Sequence, residues 1–244
     1  MLDKQIYLDA IEREGAAMAD AAIDHLDAPV RSCPGWDVRA LVGHTGTVHR
    51  VWRQVVDRRL QSPADIDRSL VDLPPGRDVI EWFREGVTLL VETLGDAEDS
   101  QPIWTWSHVK NVSFVPRRMA QETAVHRWDA QSAGGAPRNI ESELAADGID
   151  EMLDIHLPSN DLENLKGNGE TIHLHRSDGD GEWLIRLTPE GAQVERGHAK
   201  GNVAARGTAS DLLLMLWGRI EPNRLELFGD ASLLDRYLDA VDLN

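Results

Sequence analysis

Two residues one helical turn apart, Glu122 and His126, have the spacing of a pair of metal ligands. They lie in the run 118–129, which we expect to be helical, and residues four apart share one face of a helix. His44 lies on another predicted helix and adds a third donor. Imidazole and carboxylate groups suit zinc, nickel or iron, with zinc as the first expectation. Three protein ligands leave a coordination position open for water or for the sulfur atom of a substrate.

The spacing of Glu122 and His126 is weak support when taken alone, because charged pairs four residues apart are common on exposed helix faces. His44 strengthens the case, since it falls within an apolar stripe and a buried imidazole needs a partner. An ordinary core histidine, hydrogen-bonded to a backbone carbonyl, is the simpler alternative. Asp129 is predicted either to orient a ligand histidine or to be a surface acid. The apolar stripe comprises Leu41, Val48, Val51, Trp52 and Val55.

The remaining histidines and the single cysteine are weaker candidates. His173 and His175 alternate along a predicted strand and share one of its faces, but without a third ligand we expect an exposed strand face. His49 is predicted to be solvated, on the side of its helix opposite the apolar stripe. Cys33, as the only cysteine, excludes an internal disulfide and a cysteine-rich zinc site. We expect it to be a packed or partly exposed thiol.

Composition limits the classes of partner. The chain has 244 residues and is 41% hydrophobic, as expected for a globular protein. Its formal net charge is −17, which argues against nucleic acid or an anionic membrane surface as the main partner. The N-terminal residues lack the pattern of a signal peptide, and no apolar run is long enough to span a membrane. We therefore expect a cytoplasmic protein.

Four predicted helices position the candidate ligands in a helical bundle. They cover residues 4–25, 37–60, 78–94 and 117–133. Asp37 is expected to cap the second helix, and Pro116 to stand at the start of the fourth, where proline is tolerated. The first helix should bury Ile6, Ala10, Ala17 and Ala21, and the third should bury Val79, Phe83, Val87, Leu90 and Leu94.

The pattern changes after the Gly-Gly-Ala-Pro break at residues 134–137. Short alternating segments bounded by turn residues predict strands in a small, mostly antiparallel sheet. Helical patterns surround them, so this half is predicted to be α+β. We expect two domains, a metal-binding helical bundle over 1–136 and an α+β domain over 140–244. The predicted strands are 171–175, 183–187, 192–195 and 225–228, and the predicted helices are 141–155, 208–218 and 231–241.

Two runs of the N-terminal half, residues 34–44 (PGWDVRALVGH) and 121–130 (QETAVHRWDA), resemble the family of mycothiol-dependent maleylpyruvate isomerases. That family belongs to the DinB-like superfamily of metal-binding four-helix bundles. Residues 207–219 (GTASDLLLMLWGR), with Gly229-Asp230 after them, look like the second domain of the family, which is sterol-carrier-like in fold. The resemblance spans nearly the whole chain in the same order.

The resemblance implies that zinc, or another divalent metal, is bound by His44, Glu122 and His126. It also implies mycothiol as a cofactor, with its sulfur activated at the metal for isomerisation or S-transfer on a small electrophilic substrate. Arg219 matches a family arginine near the active site, where it would hold a carboxylate of substrate or cofactor and act in catalysis. On physical grounds alone, Arg219 is equally well explained as a helix C-cap.

A non-catalytic protein is the alternative. A module that binds a thiol, another small molecule or a lipid would retain the same metal site without turning over a substrate. The complete set of three ligands favours the enzyme.

Overall fold

A computed structural model describes residues 1–159 and 165–241. The chain divides into two compact units, Met1–Arg138 and Asn139–Asn244. The first unit is helical and the second is α+β, which confirms the predicted fold class. Within the described residues, no helix combines the length and the apolar character needed to cross a membrane.

The first unit is built from α1 to α4, at positions close to the predicted ones. α1 packs against α3 and α4, and α2 packs mainly against α3. The Asp37 side chain accepts a hydrogen bond from the backbone N–H of Ala40 at 2.7 Å, which caps α2 as expected. Pro116 lies in the first turn of α4, where a missing N–H costs nothing. The bounds are Lys4–Ala22, Val38–Asp57, Val79–Asp96 and Phe114–Ala133.

The buried face of α3 is the predicted one, whereas the predicted faces of α1 and α2 are correct only in part. In α1, Ala10 is buried as predicted, but Ile6 is exposed, and Tyr7 and Ile11 are buried instead. In α2, the buried face is turned by about a quarter of a revolution from the apolar stripe. This face keeps Leu41, Trp52 and Val55 of the predicted stripe and adds Thr45, Gly46 and His49. The three added residues are not hydrophobic, so the apolar pattern did not reveal them.

His49 is fully buried, contrary to the prediction that it is solvated. Its ring stacks on Phe83 with centroids 5.6 Å apart. The Thr123 hydroxyl donates to the Met119 carbonyl, so it accepts from His49 Nε2, 2.9 Å away. Burial, the largest influence, lowers the pKa of His49 to about 3. His49 is therefore a neutral core residue at physiological pH.

The second unit contains a five-stranded sheet in the order β3-β2-β1-β4-β5. Within this sheet only the β1–β4 pair is parallel, as expected for a mostly antiparallel sheet. All four predicted strands are confirmed. β4 was not predicted, because its two alanines give a weak strand signal. The bounds are Thr171–Arg176, Glu182–Thr188, Gly191–Arg196, Val203–Gly207 and Glu226–Gly229.

The helices of the second unit are confirmed with shorter bounds than predicted. α5 continues into a π-helical turn over Met152–His156. α7 buries Leu212, Leu213 and Leu216, as its apolar pattern predicts. The bounds are Ser142–Glu151 for α5, Leu157–Ser159 for α6, Ala209–Leu216 for α7 and Ala231–Ala240 for α8.

Close contact between α2 and α3 at Gly46 predicts that alanine substitutions at Gly46 and Gly43 of α2 differ in their effect on stability. A Cβ atom at Gly46 would lie 2.4 Å from the Trp82 ring, whereas one at Gly43 would lie 3.9 Å from Val79. We expect Gly46→Ala to lower the free energy of unfolding by about 1–3 kcal/mol, because overpacking outweighs the gain in helix propensity. Gly43→Ala should be neutral or stabilise by up to about 1 kcal/mol. Urea denaturation measures both, and equal effects would contradict the tight contact.

Burial of neutral His49 predicts a pH dependence of stability. Its pKa falls from 6.5 to about 3 on folding, so its contribution is complete above pH 6.5 and is lost progressively as the pH falls towards 3. Between pH 7.5 and 5.5 the wild type should therefore lose about 1 kcal/mol more stability than His49→Gln. Denaturant titrations at the two pH values test this. His108→Gln, at an exposed histidine, is the matched control and should follow the wild type.

Candidate metal centre

The three predicted ligands converge within the first unit. Glu122 Oε1 lies 3.5 Å from His44 Nε2 and 3.2 Å from His126 Nε2. One donor atom from each residue lies within 4.8 Å of the others. Glu122 and His126 lie one turn apart on α4, and α2 brings His44 to the same point. The structure therefore assembles a His-Glu-His cluster from two helices, as the sequence predicted.

His44 differs from the prediction in its burial. Its side chain is 39% exposed, compared with 18% for Glu122 and 11% for His126. It stands at the edge of the buried face of α2, because that face is turned towards Thr45 and His49. Within the cluster, the two side chains on α4 are therefore mostly buried, whereas the His44 side chain is accessible to solvent.

A hydrogen bond to Asp129 orients His126. His126 Nδ1 lies 3.0 Å from Asp129 Oδ2, and the Ser32 hydroxyl donates to the other oxygen of Asp129 at 2.6 Å. Asp129 is almost fully buried, so its role as a surface acid is excluded. A proton on Nδ1 of His126 is held by the carboxylate, which leaves Nε2 pointing at Glu122. Carboxylate partners fix the tautomer of metal-ligating histidines in this way.

Glu122 and His126 form an ion pair within this cluster. Burial, the largest influence, disfavours the charged form of both groups. At His126, the negative charge of the Glu122 carboxylate outweighs the effect of burial and raises the pKa of the imidazole to about 9. Burial is likewise the largest influence on Glu122, yet contacts with His126, His44 and Arg118 hold its pKa well below the usual range. A proton on His126 Nε2 thus occupies the place between the two side chains that a cation would take.

The donor set fits a divalent metal. In a tetrahedral zinc site with ordinary bond lengths, neighbouring ligand atoms lie about 3.3–3.5 Å apart. The two separations at Glu122, 3.5 and 3.2 Å, are close to that range. Two imidazoles and one carboxylate form the three-ligand type of zinc site, which leaves a position for an exogenous ligand.

A loop before α2 adds residues to this site that the sequence analysis did not assign to it. The backbone of Val30 donates to Trp36 O at 2.9 Å, and Gly35 adopts a φ of +86°, which closes a tight turn. The turn places Ser32 against Asp129 and the Trp36 ring 4.8 Å from the His44 ring. The Pro34-Gly35-Trp36 run within the family resemblance was the signal that pointed to this loop.

Cys33 from the same loop defines an overlapping cluster with His126 and Asp129. Both carboxylate oxygens of Asp129 already accept hydrogen bonds from Ser32 and His126. His126 Nε2, in contrast, faces Glu122. The His44, Glu122 and His126 set therefore fits a metal better than the set that contains Cys33.

Arg219 lies in the second unit, immediately after Gly218, which ends α7 with a φ of +67°. Its guanidinium donates to the Trp217 carbonyl at 2.7 Å, and its backbone N–H donates to Leu214 O at 2.8 Å. These contacts are those of a C-terminal helix cap, one of the two roles considered for this residue.

Solved structures support the fold. The crystal structure of the mycothiol-dependent maleylpyruvate isomerase aligns with a TM-score of 0.64, and the crystal structure of a mutant of that isomerase aligns with a TM-score of 0.66. In both comparisons the identity is 12%, and the alignment covers 93% of each chain. At this identity the likeness shows a shared fold. A search among curated protein sequences finds no match.

Family models match both halves of the chain. The model described as the mycothiol maleylpyruvate isomerase N-terminal domain matches residues 7–131, and that of the family's C-terminal domain matches residues 143–236. The first match alone covers more than half of the sequence, and the two follow the order that the resemblance predicted. The chain belongs to the mycothiol maleylpyruvate isomerase family of enzymes.

Proposed function

We propose that this protein is a zinc-dependent enzyme that uses the thiol of mycothiol to isomerise a small electrophilic substrate. The observation that carries the proposal is the convergence of His44, Glu122 and His126, with His126 oriented by Asp129. Family membership supports the thiol and the reaction class. S-transfer onto a related electrophile uses the same site if the thiol adduct is retained as the product.

Each residue of the site has a role in this proposal. His44, Glu122 and His126 would hold the ion, and zinc, when bound, favours the thiolate form of a sulfur ligand. Asp129 orients His126 so that Nε2 would be available to the ion, and Ser32 holds Asp129 in place. The Trp36 ring packs beside the His44 imidazole, with the ring centroids 4.8 Å apart, and restricts its position. In isomerisation, the thiolate would add to an activated double bond to give a stabilised carbanion, rotation about the resulting single bond would follow, and elimination would release the thiolate and the isomerised product.

The second domain contributes substrate binding in this proposal. We assign the metal site to residues 1–136 and a second functional domain to residues 140–244. Arg219, from the end of α7, is proposed to bind a carboxylate of substrate or cofactor, as the family resemblance implies. A guanidinium suits this role because it donates two parallel hydrogen bonds to a carboxylate.

Metal analysis combined with a turnover assay tests the proposal. Purified protein should contain about one zinc ion at this site, and His126→Ala should lose it together with at least about 100-fold in mycothiol-dependent turnover of maleylpyruvate or a related electrophile. His108→Ala, at an exposed histidine, should retain both. Full zinc retention at this site in His126→Ala would refute the ligand assignment. Saturable mycothiol binding without product across a panel of electrophiles would favour the non-catalytic module.

Asp129→Asn tests the positioning role of that carboxylate. The amide cannot hold the Nδ1 proton of His126 as the carboxylate does, so we expect zinc affinity to fall by about 10–100-fold. Activity should recover at saturating zinc, because the three ligands remain. Competition with a chromophoric chelator measures the affinity, and far-ultraviolet circular dichroism controls for folding. Unchanged affinity would show that Asp129 does not orient His126.

A further inference from the structure

We propose a second zinc-type metal site in the C-terminal domain, formed by His173, His175, Glu182 and His198. Their donor atoms all lie within 4.8 Å of one another. The four residues come from β1, β2 and the segment that follows β3. Their assembly does not depend on the site in the helical domain.

Sheet register brings three of the four donors to one face. His173 and His175 are two residues apart on β1, so their side chains point to the same side. In the antiparallel β1–β2 pair, His175 is directly opposite Glu182. Directly opposite side chains share a face and lie within reach of one another. Pairing therefore supplies the third ligand that the sequence analysis could not find for the two histidines.

A turn after β3 delivers the fourth donor. Gly197 adopts a φ of +131°, in a region that favours glycine, and its N–H donates to the Glu182 carbonyl at 3.0 Å. The next residue, His198, is thereby placed beside the Glu182 side chain. At Gly201, a Cβ atom would lie 3.0 Å from the His173 Cβ, so the returning chain passes directly over that histidine. The backbone conformation of residues 197–201 thus holds this segment against the cluster.

Three imidazoles surround a single carboxylate in this cluster. Glu182 Oε2 lies 2.8 Å from His173 Nε2 and 2.7 Å from His198 Nδ1, and Oε1 lies 3.6 Å from His175 Nδ1. The His198 side chain is 79% exposed, and exposed ion pairs contribute little to stability. The same holds in part for His175, whose side chain is 32% exposed, but not for His173, which is 6% exposed. Hydrogen bonding to Glu182 therefore accounts for His173 but contributes little to placing two further histidines beside the same carboxylate. A cation bound by all four side chains accounts for that placement.

Coordination chemistry identifies the class of ion. Three imidazole nitrogens and one carboxylate oxygen suit zinc and neighbouring divalent transition metals, rather than calcium or magnesium. Four protein ligands complete a tetrahedral shell, which is the closed type of site. We therefore expect a structural ion that joins β1, β2 and the β3–β4 connection, and no reaction at this position.

Zinc titration of the metal-depleted full-length protein tests the inference, with the first site disabled by His44→Ala and His126→Ala. This background should bind about one zinc ion per chain, and binding should raise its melting temperature. Adding His175→Ala and His198→Ala should remove the zinc-dependent rise and weaken binding by more than about 100-fold. Adding His108→Ala instead should change neither. Without zinc, all three proteins should have the same circular dichroism spectrum.

The zinc content of these proteins distinguishes binding at the first site from binding at the second. If only the second site binds zinc, the wild type and the His44→Ala, His126→Ala background will each hold about one ion. If only the first binds it, the background will hold none, and the inference is wrong. Zinc binding by the background that survives His175→Ala and His198→Ala would likewise overturn it. X-ray absorption of the zinc-loaded background should show four nitrogen or oxygen ligands at about 2.0–2.2 Å.

Discussion

The largely buried carboxylate of Glu122 constrains how the helices of the first unit pack around it. A charged group removed from water costs several kcal/mol unless opposite charges and hydrogen bonds compensate for it. His126 and Arg118 on the same helix, and His44 from α2, supply that compensation. Compensation of the carboxylate therefore depends on α2 and α4 meeting at this place, and the same arrangement brings together the three donors of the proposed metal site.

Other polar residues along α4 also depend on partners from neighbouring elements. Most of its polar residues are buried, so each needs a partner from another element. Glu14 of α1 accepts from Arg127 at 2.6 Å, His49 of α2 donates to Thr123, and Ser32 of the preceding loop donates to Asp129. Each neighbour thus sends one polar group to a defined point on α4. Removing one member of such a pair costs more than an apolar mismatch, because it leaves a buried charge or dipole alone.

Sequence reasoning located the helices, the buried face of α3 and the residues of the His-Glu-His cluster. It misplaced the centre of the buried face of α2, because that face also includes Thr45, Gly46 and His49, whose burial depends on close approach and on hydrogen bonding. The second histidine cluster was missed for a different reason. Glu182 and His198 become neighbours of His173 through strand register and a glycine turn, and neither is visible in the spacing of residues along the chain.

The close approach of Gly46 to Trp82 has a consequence for the proposed metal site. It fixes the rotation and the axial position of α2, so the backbone at His44, two residues earlier, has little freedom to move. The donors on α4 are shielded, whereas the His44 imidazole reaches solvent. An ion held at the proposed site would therefore be released first by His44, whose side chain can change rotamer into solvent, and last by Glu122 and His126 on α4. The rate of release would then depend mainly on one side chain, whereas the affinity would depend on all three ligands.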